Sequence, residues 1–433
     1  MPAPISDHFR GRKPSPIRQA QILFAKRPDR DAITVVNLAI GNVSLPMHPA
    51  MRARLNSISE NFADGVVKYT ASVGSQEAQD AFMNIIASCG ASTEALNAVV
   101  TDGGSQAMEL MILGTCGPGC SSPLMLIDPA YTNYMDIARR LNVRTVSLGR
   151  DLGDDGIFAA PDLVQLEAAI KKHKPPALVV IPADNPTGQF LPQSELIKIA
   201  RLATQYDMWL VSDEAYRQLH YQNQSVSSVW LLDEKQVPGI TGRRISIESA
   251  SKVWNACGLR IGALVTDNAE FHGRAVAEYT ANLCSNAIGQ HVFAALAEQS
   301  HEQLHAWYKS QREYYSQMMR STARGLHESL PGVIVSNTEA SLYAVLDVKN
   351  VAPSDFCATS FVQYCAERGS ANLDGQPHTL LVAPMAGFYG ARGDGQNSAA
   401  ATQMRLAFVE PPAAMKKVPR LFAELFHQYL GER

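Results

Sequence analysis

A charge excess of either sign is what this chain most plainly lacks: 38 Lys and Arg against 41 Asp and Glu leave a formal net charge of −3 over 433 residues. That balance excludes a whole-molecule attraction to nucleic acid or to an anionic membrane surface. Basic residues do gather between Arg10 and Arg18, but Pro14 and Pro16 interrupt them, and the stretch reads as a solvated N-terminal arm. Long apolar runs are missing too. None reaches the length that spans a bilayer, and no apolar segment precedes a small-residue cleavage site near the N-terminus. Neither a membrane partner nor export is therefore expected. Cysteine is sparse: seven residues, an odd number, none spaced as CxxC. Cys116 and Cys120 bracket Gly117-Pro118-Gly119, which reads as a turn, and no second pair completes a metal site around them. The eleven histidines are read as forming no HExxH pattern, and reduced thiols in a cytoplasmic protein without a metal are the expectation.

What is present is a large soluble composition, 46% hydrophobic and 18% charged, too long for one ordinary core. From about residue 98, short aliphatic runs alternate with helix-like stretches. Strands are expected at Ala98–Thr101, Leu124–Ile127, Val143–Leu148, Leu178–Ile181, Met208–Val211, Arg244–Ile247 and Ile261–Val265. Helices are expected at about Ser105–Cys116, Thr132–Leu141, Pro161–Lys174 and Ser194–Tyr206. Near-continuous β-branched strands separated by helices indicate an α/β fold, its mainly parallel sheet covered on both faces. Ligands of such sheets bind beyond the carboxyl ends of the strands. After about residue 297 the pattern changes to a long helix, Glu302–Leu326, and strands at Val333–Val335, Ser341–Val348 and Met404–Val409. Ile33–Ile40 reads as a strand that joins this second unit. The expected division is an arm and strand over 1–45, a large ligand-binding domain over 46–297 and a small α/β domain over 298–433.

Polar clusters follow several of these strands. Lys252 ends Ser249-Ala250-Ser251-Lys252, and Arg260 lies in Gly258-Leu259-Arg260-Ile261-Gly262. A lysine beside two hydroxyls can form an imine and the arginine can clamp a phosphate, the two attachments that pyridoxal 5′-phosphate (PLP) requires. Asp213 directly follows a strand, where it either pairs with the pyridine nitrogen or caps a helix. Asn185, in Asn185-Pro186-Thr187-Gly188, either donates to the phenolic oxygen or only shapes a turn. Tyr216 can donate to the same oxygen or pack in the core. Gly103-Gly104-Ser105-Gln106 stands between a strand and a helix, where free N–H groups favour a phosphate, though the pattern is no nucleoside-triphosphate loop. Tyr131 can stack on the cofactor. Arg405, in the apolar run Met404-Arg405-Leu406-Ala407-Phe408, needs an anion if buried: a substrate carboxylate or a structural ion-pair partner.

Taken in order, these runs resemble the class I/II, fold-type I PLP-dependent aminotransferases, from about Ile17 to about Pro412. Four signatures carry the resemblance: Asn185-Pro186-Thr187-Gly188, Asp213-Glu214-Ala215-Tyr216, Ser249-Ala250-Ser251-Lys252 and Gly258-Leu259-Arg260-Ile261-Gly262. The resemblance implies that Lys252 forms the internal aldimine and shuttles the proton, and that amino transfer runs from an L-amino acid to a 2-oxo acid through pyridoxamine phosphate. It implies that Asp213 pairs with the ring nitrogen, that Asn185 and Tyr216 contact the phenolic oxygen, and that Tyr131 stacks on the ring. Gly104, Ser105, Gln106, Ser249 and Arg260 would hold the phosphate, while Gly41, Asn185 and Arg405 would bind substrate. Tyr69 matches a tyrosine that reaches the neighbouring subunit's phosphate, which implies a homodimer with shared sites. Two segments depart from the pattern: Asn42 to Pro46 lacks the usual Asp/Glu-Pro pair, and Ala183-Asp184 precedes Asn185.

A lyase or synthase on the same scaffold, of the C–S lyase or aminocyclopropane-carboxylate synthase kind, shares all these motifs. A PLP-sensing transcription regulator would need a DNA-binding module that the residues ahead of Gly41 are too few to supply. Substrate identity stays open. Tyr69, Tyr131, Tyr134, Trp254 and Phe388 suit a large apolar side chain, whereas Asn42, Asn133 and Asn255 suit a polar one.

Overall fold

The structure is a computed structural model and describes residues 3–12, 14–221, 225–390 and 398–432. Among the described residues fourteen strands run in chain order. The first, β1 (Thr34–Asn37), is followed by β2 (Asn97–Thr101), β3 (Leu124–Asp128), β4 (Thr145–Gly149), β5 (Ala177–Val180), β6 (Trp209–Asp213), β7 (Arg244–Ser249) and β8 (Gly262–Thr266). Then come β9 (Ile334–Val335), β10 (Tyr343–Asp347), β11 (Ala371–Leu373), β12 (Gln376–Leu381), β13 (Ala383–Pro384) and β14 (Gln403–Ala407).

Seven strands form the large sheet in the order β2-β8-β7-β6-β5-β3-β4, with β8 alone antiparallel to its neighbours. Successive residues bury opposite faces, which explains their unbroken aliphatic character. Val99, Val179, Val211 and Leu264 pack on one side with the helices Gly104–Thr115 and Ala269–Tyr279. Val100, Leu178, Val180 and Leu210 pack on the other, in the larger core. The strand order reverses between β5 and β3, with β4 on the far side of β3, so connections leave the carboxyl ends in opposite directions and open a crevice there.

Two smaller sheets complete the fold, β13-β14-β10-β9 and β1-β12-β11. In the second, β1 pairs in parallel with β12, so the N-terminal strand rests on the C-terminal part of the chain. The helix Pro16–Ala25 packs on the same region, against Ala358–Glu367 and β13. The long helix extends over His301–Ser329 because Ser300 and Gln303 close a reciprocal capping box at its start. The helix expected from Pro161 begins instead at Leu163, since the Asp162 side chain accepts from the N–H groups of Val164 and Gln165.

Candidate active site

The carboxyl ends of the central strands face β10 and β14 across one cavity of about 670 Å³. Lys252 lines it and donates from Nζ to the Gly41 carbonyl oxygen at 2.5 Å. A Cβ at Gly41 would stand 2.3 Å from the Tyr343 hydroxyl oxygen and 3.0 Å from Lys252 Nζ, so the backbone passes there only as glycine.

Asp213 ends β6 as a buried carboxylate. Its Oδ2 accepts from the Tyr134 hydroxyl at 2.9 Å and its Oδ1 from the Ala215 N–H at 3.1 Å. A turn follows it, not a helix, which removes the helix-cap alternative. Burial pushes the carboxyl up to about 6 against those two hydrogen bonds, with Glu214 and Glu248 adding to the rise. Among the described residues no cation pairs with it.

Asn185 follows β5 and joins the two walls. Its Nδ2 donates to the Tyr216 hydroxyl at 3.3 Å, and its Oδ1 accepts from Arg405 Nη1 at 3.1 Å. Tyr216 also shares a 2.9 Å hydrogen bond with Tyr343, and burial raises its phenol well above the ordinary range. Asp184, one of the departures from the family pattern, does not enter the cavity; it pairs with Arg150 at 2.6 Å.

A second corner is built for an anion. The helix Gly104–Thr115 starts without a side-chain cap behind Gly103, whose φ is +78°. A Cβ on Gly103 would lie 2.3 Å from Arg260 Nη2, so glycine lets the guanidinium approach the helix start. Arg260 donates to the carbonyls of Asp102 at 3.3 Å and Cys257 at 3.2 Å. Ser105 and Ser249 line the same cavity. Gln106 does not: its Oε1 accepts from the Asp102 N–H and the Tyr279 hydroxyl, both at 3.0 Å, so its side chain braces the loop from behind. Tyr69 also stands outside the cavity, 77% exposed.

On the facing wall Arg405 is buried, with its guanidinium 4.4 Å from the Tyr343 ring centroid and 5.0 Å from that of Phe388. Its Nη2 donates to the Ala39 carbonyl at 2.5 Å, while its Nε has no partner. No carboxylate among the described residues pairs with it, so the structural ion-pair alternative fails. Of the proposed aromatic lining only Tyr131 faces the cavity, joined by Asn42 and Asn133. Trp254 stacks on Trp307, and Asn255 binds Pro46 and Gln311.

Several lining residues escaped the sequence reading, Tyr343, Arg18 and Gln21 among them. Tyr343 lies in an apolar strand run that nothing distinguishes from core. Arg18 and Gln21 reach the cavity from the helix Pro16–Ala25 with Ser15, a three-residue spacing visible in the sequence but read as part of a solvated arm. One motif also bears on the expectation that no metal is bound. His301-Glu302-Gln303-Leu304-His305 carries the HExxH spacing, which corrects the reading that the histidines form no such pattern. His305 contacts the Ser88 carbonyl at 2.7 Å, and no third ligand gathers there among the described residues. Nor is any described helix long and apolar enough to cross a membrane.

A lysine, a buried carboxylate, a buried arginine and a helix N-terminus converging on one crevice define a class of enzyme, and comparison with known proteins gives it a name. Residues 33–382 match the aminotransferase class I and II family, and the chain belongs to it. It is 26% identical over 330 residues to an aspartate/prephenate aminotransferase of Thermus thermophilus, covering 75% of this chain and 80% of that one. A probable N-succinyldiaminopimelate aminotransferase of Mycobacterium tuberculosis is 30% identical over 164 residues, 38% of this chain and 39% of that protein. The solved structure of N-succinyldiaminopimelate aminotransferase from Mycobacterium tuberculosis superposes with a TM-score of 0.79 at 23% identity, covering 98% of this chain and all of the other. The enzyme is an aminotransferase of fold type I.

Proposed function

We propose that this aminotransferase uses PLP bound through Lys252 to move the amino group of an L-amino acid to a 2-oxo acid. The observation that carries the reading is a set of groups around one cavity: an amine at Lys252, a buried carboxylate at Asp213 that pairs with no cation among the described residues, and a buried guanidinium at Arg405 that pairs with no anion among them. The donor set fits the cofactor. The uncapped helix start with Ser105, Ser249 and Arg260 suits a phosphate dianion, Asp213 suits a protonated ring nitrogen, and Asn185 with Tyr216 suits a phenolate oxygen. Gln106 acts in this reading only as a brace for the phosphate loop.

When bound, PLP supplies an aldehyde that carries the amino group and a ring that stabilises negative charge at the substrate Cα. Lys252 Nζ then moves the proton taken from Cα. Arg405 holds the substrate α-carboxylate, with Asn185 and the Ala39 carbonyl fixing the plane of its guanidinium, and that fixed plane orients the Cα–H bond. Tyr343 supports Arg405 from below and reaches the Tyr216 hydroxyl.

The cavity carries four basic side chains, and three have roles in this reading: Lys252, Arg260 and Arg405. The fourth, Arg18, makes no ion pair among the described residues and hydrogen-bonds only to Gln21, at 3.4 Å. An acidic substrate side chain is the reading it supports. Residues 46–297 would hold the cofactor, with 1–45 and 298–433 forming the substrate wall. The exposed Tyr69, beside exposed Val66 and Val67, supports a homodimer in which Tyr69 serves the other subunit's phosphate. Seven unpaired cysteines accord with a cytoplasmic setting.

The test is a single-donor incubation. Holoenzyme mixed with an amino acid and no oxo acid is expected to release one equivalent of 2-oxo acid per site and stop with its cofactor aminated. Continuous release of ammonia or thiol would instead support the lyase reading.

A further inference from the structure

Behind the cofactor wall lies a buried charge cluster that the reaction above does not use. Arg217 Nη2 meets Glu248 Oε1 at 2.5 Å and its Nη1 meets Glu214 Oε2 at 3.4 Å, with all three side chains no more than 3% exposed. The remaining valences are filled. Glu214 Oε1 accepts from Ser212 and Ser228 at 2.9 Å and from the Val229 N–H at 3.1 Å. Glu248 Oε1 accepts from Ser246 at 2.6 Å, and Ser246 accepts from the Trp230 indole at 2.9 Å.

The placement is what separates this cluster from an ordinary internal ion pair. Each member is the immediate chain neighbour of a cavity-lining residue: Glu214 follows Asp213, Arg217 follows Tyr216, and Glu248 precedes Ser249. Alternation along β7 turns Glu248 away from the side that Ser249 faces, and Glu214 and Arg217, from the turn after β6, meet it there. Two carboxylates against one guanidinium also leave an excess negative charge next to Asp213.

We propose that Glu214, Arg217 and Glu248 are positioning residues that lock Asp213, Tyr216 and Ser249 in register and add negative potential that keeps the cofactor's ring nitrogen protonated. The inference rests on the PLP reading above. Buried ion clusters are often neutral for stability, so a role in stability alone would leave the nitrogen's proton affinity untouched.

E248Q keeps the shape of the side chain and removes one charge, and with its amide oxygen at the Oε1 position it can still accept from Ser246 and Arg217 Nη2. Holoenzyme reconstituted with PLP labelled with ¹⁵N in the ring is titrated by NMR, alongside PLP binding to the cofactor-free protein. In E248Q the pH at which the ring nitrogen loses its proton is expected to fall by about one unit. R217M, which leaves two carboxylates facing each other, is expected to weaken PLP binding about tenfold or more, with R217K partly restoring it. An E248Q protein that folds with an unchanged ¹⁵N titration overturns the proposal, and so does a folded R217M with unchanged PLP affinity. If R217M fails to fold, E248Q decides alone. If wild-type protein fails to trap PLP on Lys252 with borohydride, the parent reading falls instead, and the two failures are distinguishable.

Discussion

The two walls of the active-site cavity are built on different plans. The large-sheet wall comes from strand ends and the turns directly after them, and its polar groups already bind one another: Asp213 to Tyr134, Asn185 to Tyr216, Arg260 to backbone carbonyls. The opposite wall collects Arg18 and Gly41 from near one end of the chain and Tyr343 and Arg405 from near the other, and two of its cations pair with no anion among the described residues. On the proposed reading, wall one holds a resident that every turnover shares. Wall two is left open for a ligand that comes and goes. Changes on the first wall should therefore damage every reaction alike, and changes on the second should discriminate among substrates.

The sharpest way to test the first half is K252A. Amino transfer is expected to drop by at least about a thousandfold for every donor, because both the anchor and the proton carrier vanish. Borohydride labelling of that peptide should disappear too, while the cofactor-free protein keeps its melting temperature. Equal losses across donors fit the comparison; a donor-dependent loss breaks it. On the second wall R405K keeps the charge but loses the fork, and kcat/KM is expected to fall about a hundredfold for all α-amino acids. PLP affinity should change less than about threefold in the same variant, since no part of the cofactor wall has moved. A large loss of PLP affinity would show that the walls are not separable.

The same division explains what the sequence made legible. The large-sheet wall is written in contiguous runs because one strand end and its turn supply neighbouring groups, so the convergence of Lys252, Asp213 and Arg260 on one cavity was readable from their types and spacing. Arg405 was readable because a cation on an apolar strand demands an anion. Tyr343 was not, since an aromatic on a buried strand carries no local sign of its hydroxyl contact. Gln106 was assigned to the phosphate by its position after Ser105, but the rotation of the first helical turn sends its side chain to Tyr279 instead. Within the fold, the aliphatic central strands stood out, whereas β11 and β12 were missed because Asn372, Pro377 and His378 dilute the pattern of a short hairpin.

Asp213 tests the first wall by pH. Its carboxyl, held up to about 6 by burial, takes a proton in the cofactor-free protein as pH falls through that value. A proton there must leave before the group can face a cationic ring nitrogen. PLP affinity should thus weaken up to about tenfold per unit below pH 6 beyond the phosphate's own titration. D213N should lack that extra slope while binding PLP more weakly throughout. The sign for folding is opposite: the ionised carboxylate costs the cofactor-free protein stability above about pH 6, and that cost fades as pH falls toward 3.8. The melting-temperature deficit of wild type relative to D213N should accordingly shrink from pH 7 to pH 5.

The smallest expected effect is the most selective one. Arg18 sits on the surface of its helix, so R18Q removes a charge without disturbing packing, and neither PLP affinity nor thermal stability should change. If its guanidinium reads a substrate side-chain carboxylate across the cavity mouth, kcat/KM for aspartate and glutamate should fall about tenfold, the scale of one partly solvated ion pair. Alanine and leucine, which offer no second anion, should be affected less than about twofold. R18E should deepen the loss for acidic donors and leave apolar ones in place, because repulsion replaces attraction at the same point. A uniform loss across all four amino acids would assign Arg18 to the general machinery beside Arg405. No loss at all would leave the cation a feature of the helix surface, and the second wall would then choose its substrates by shape alone.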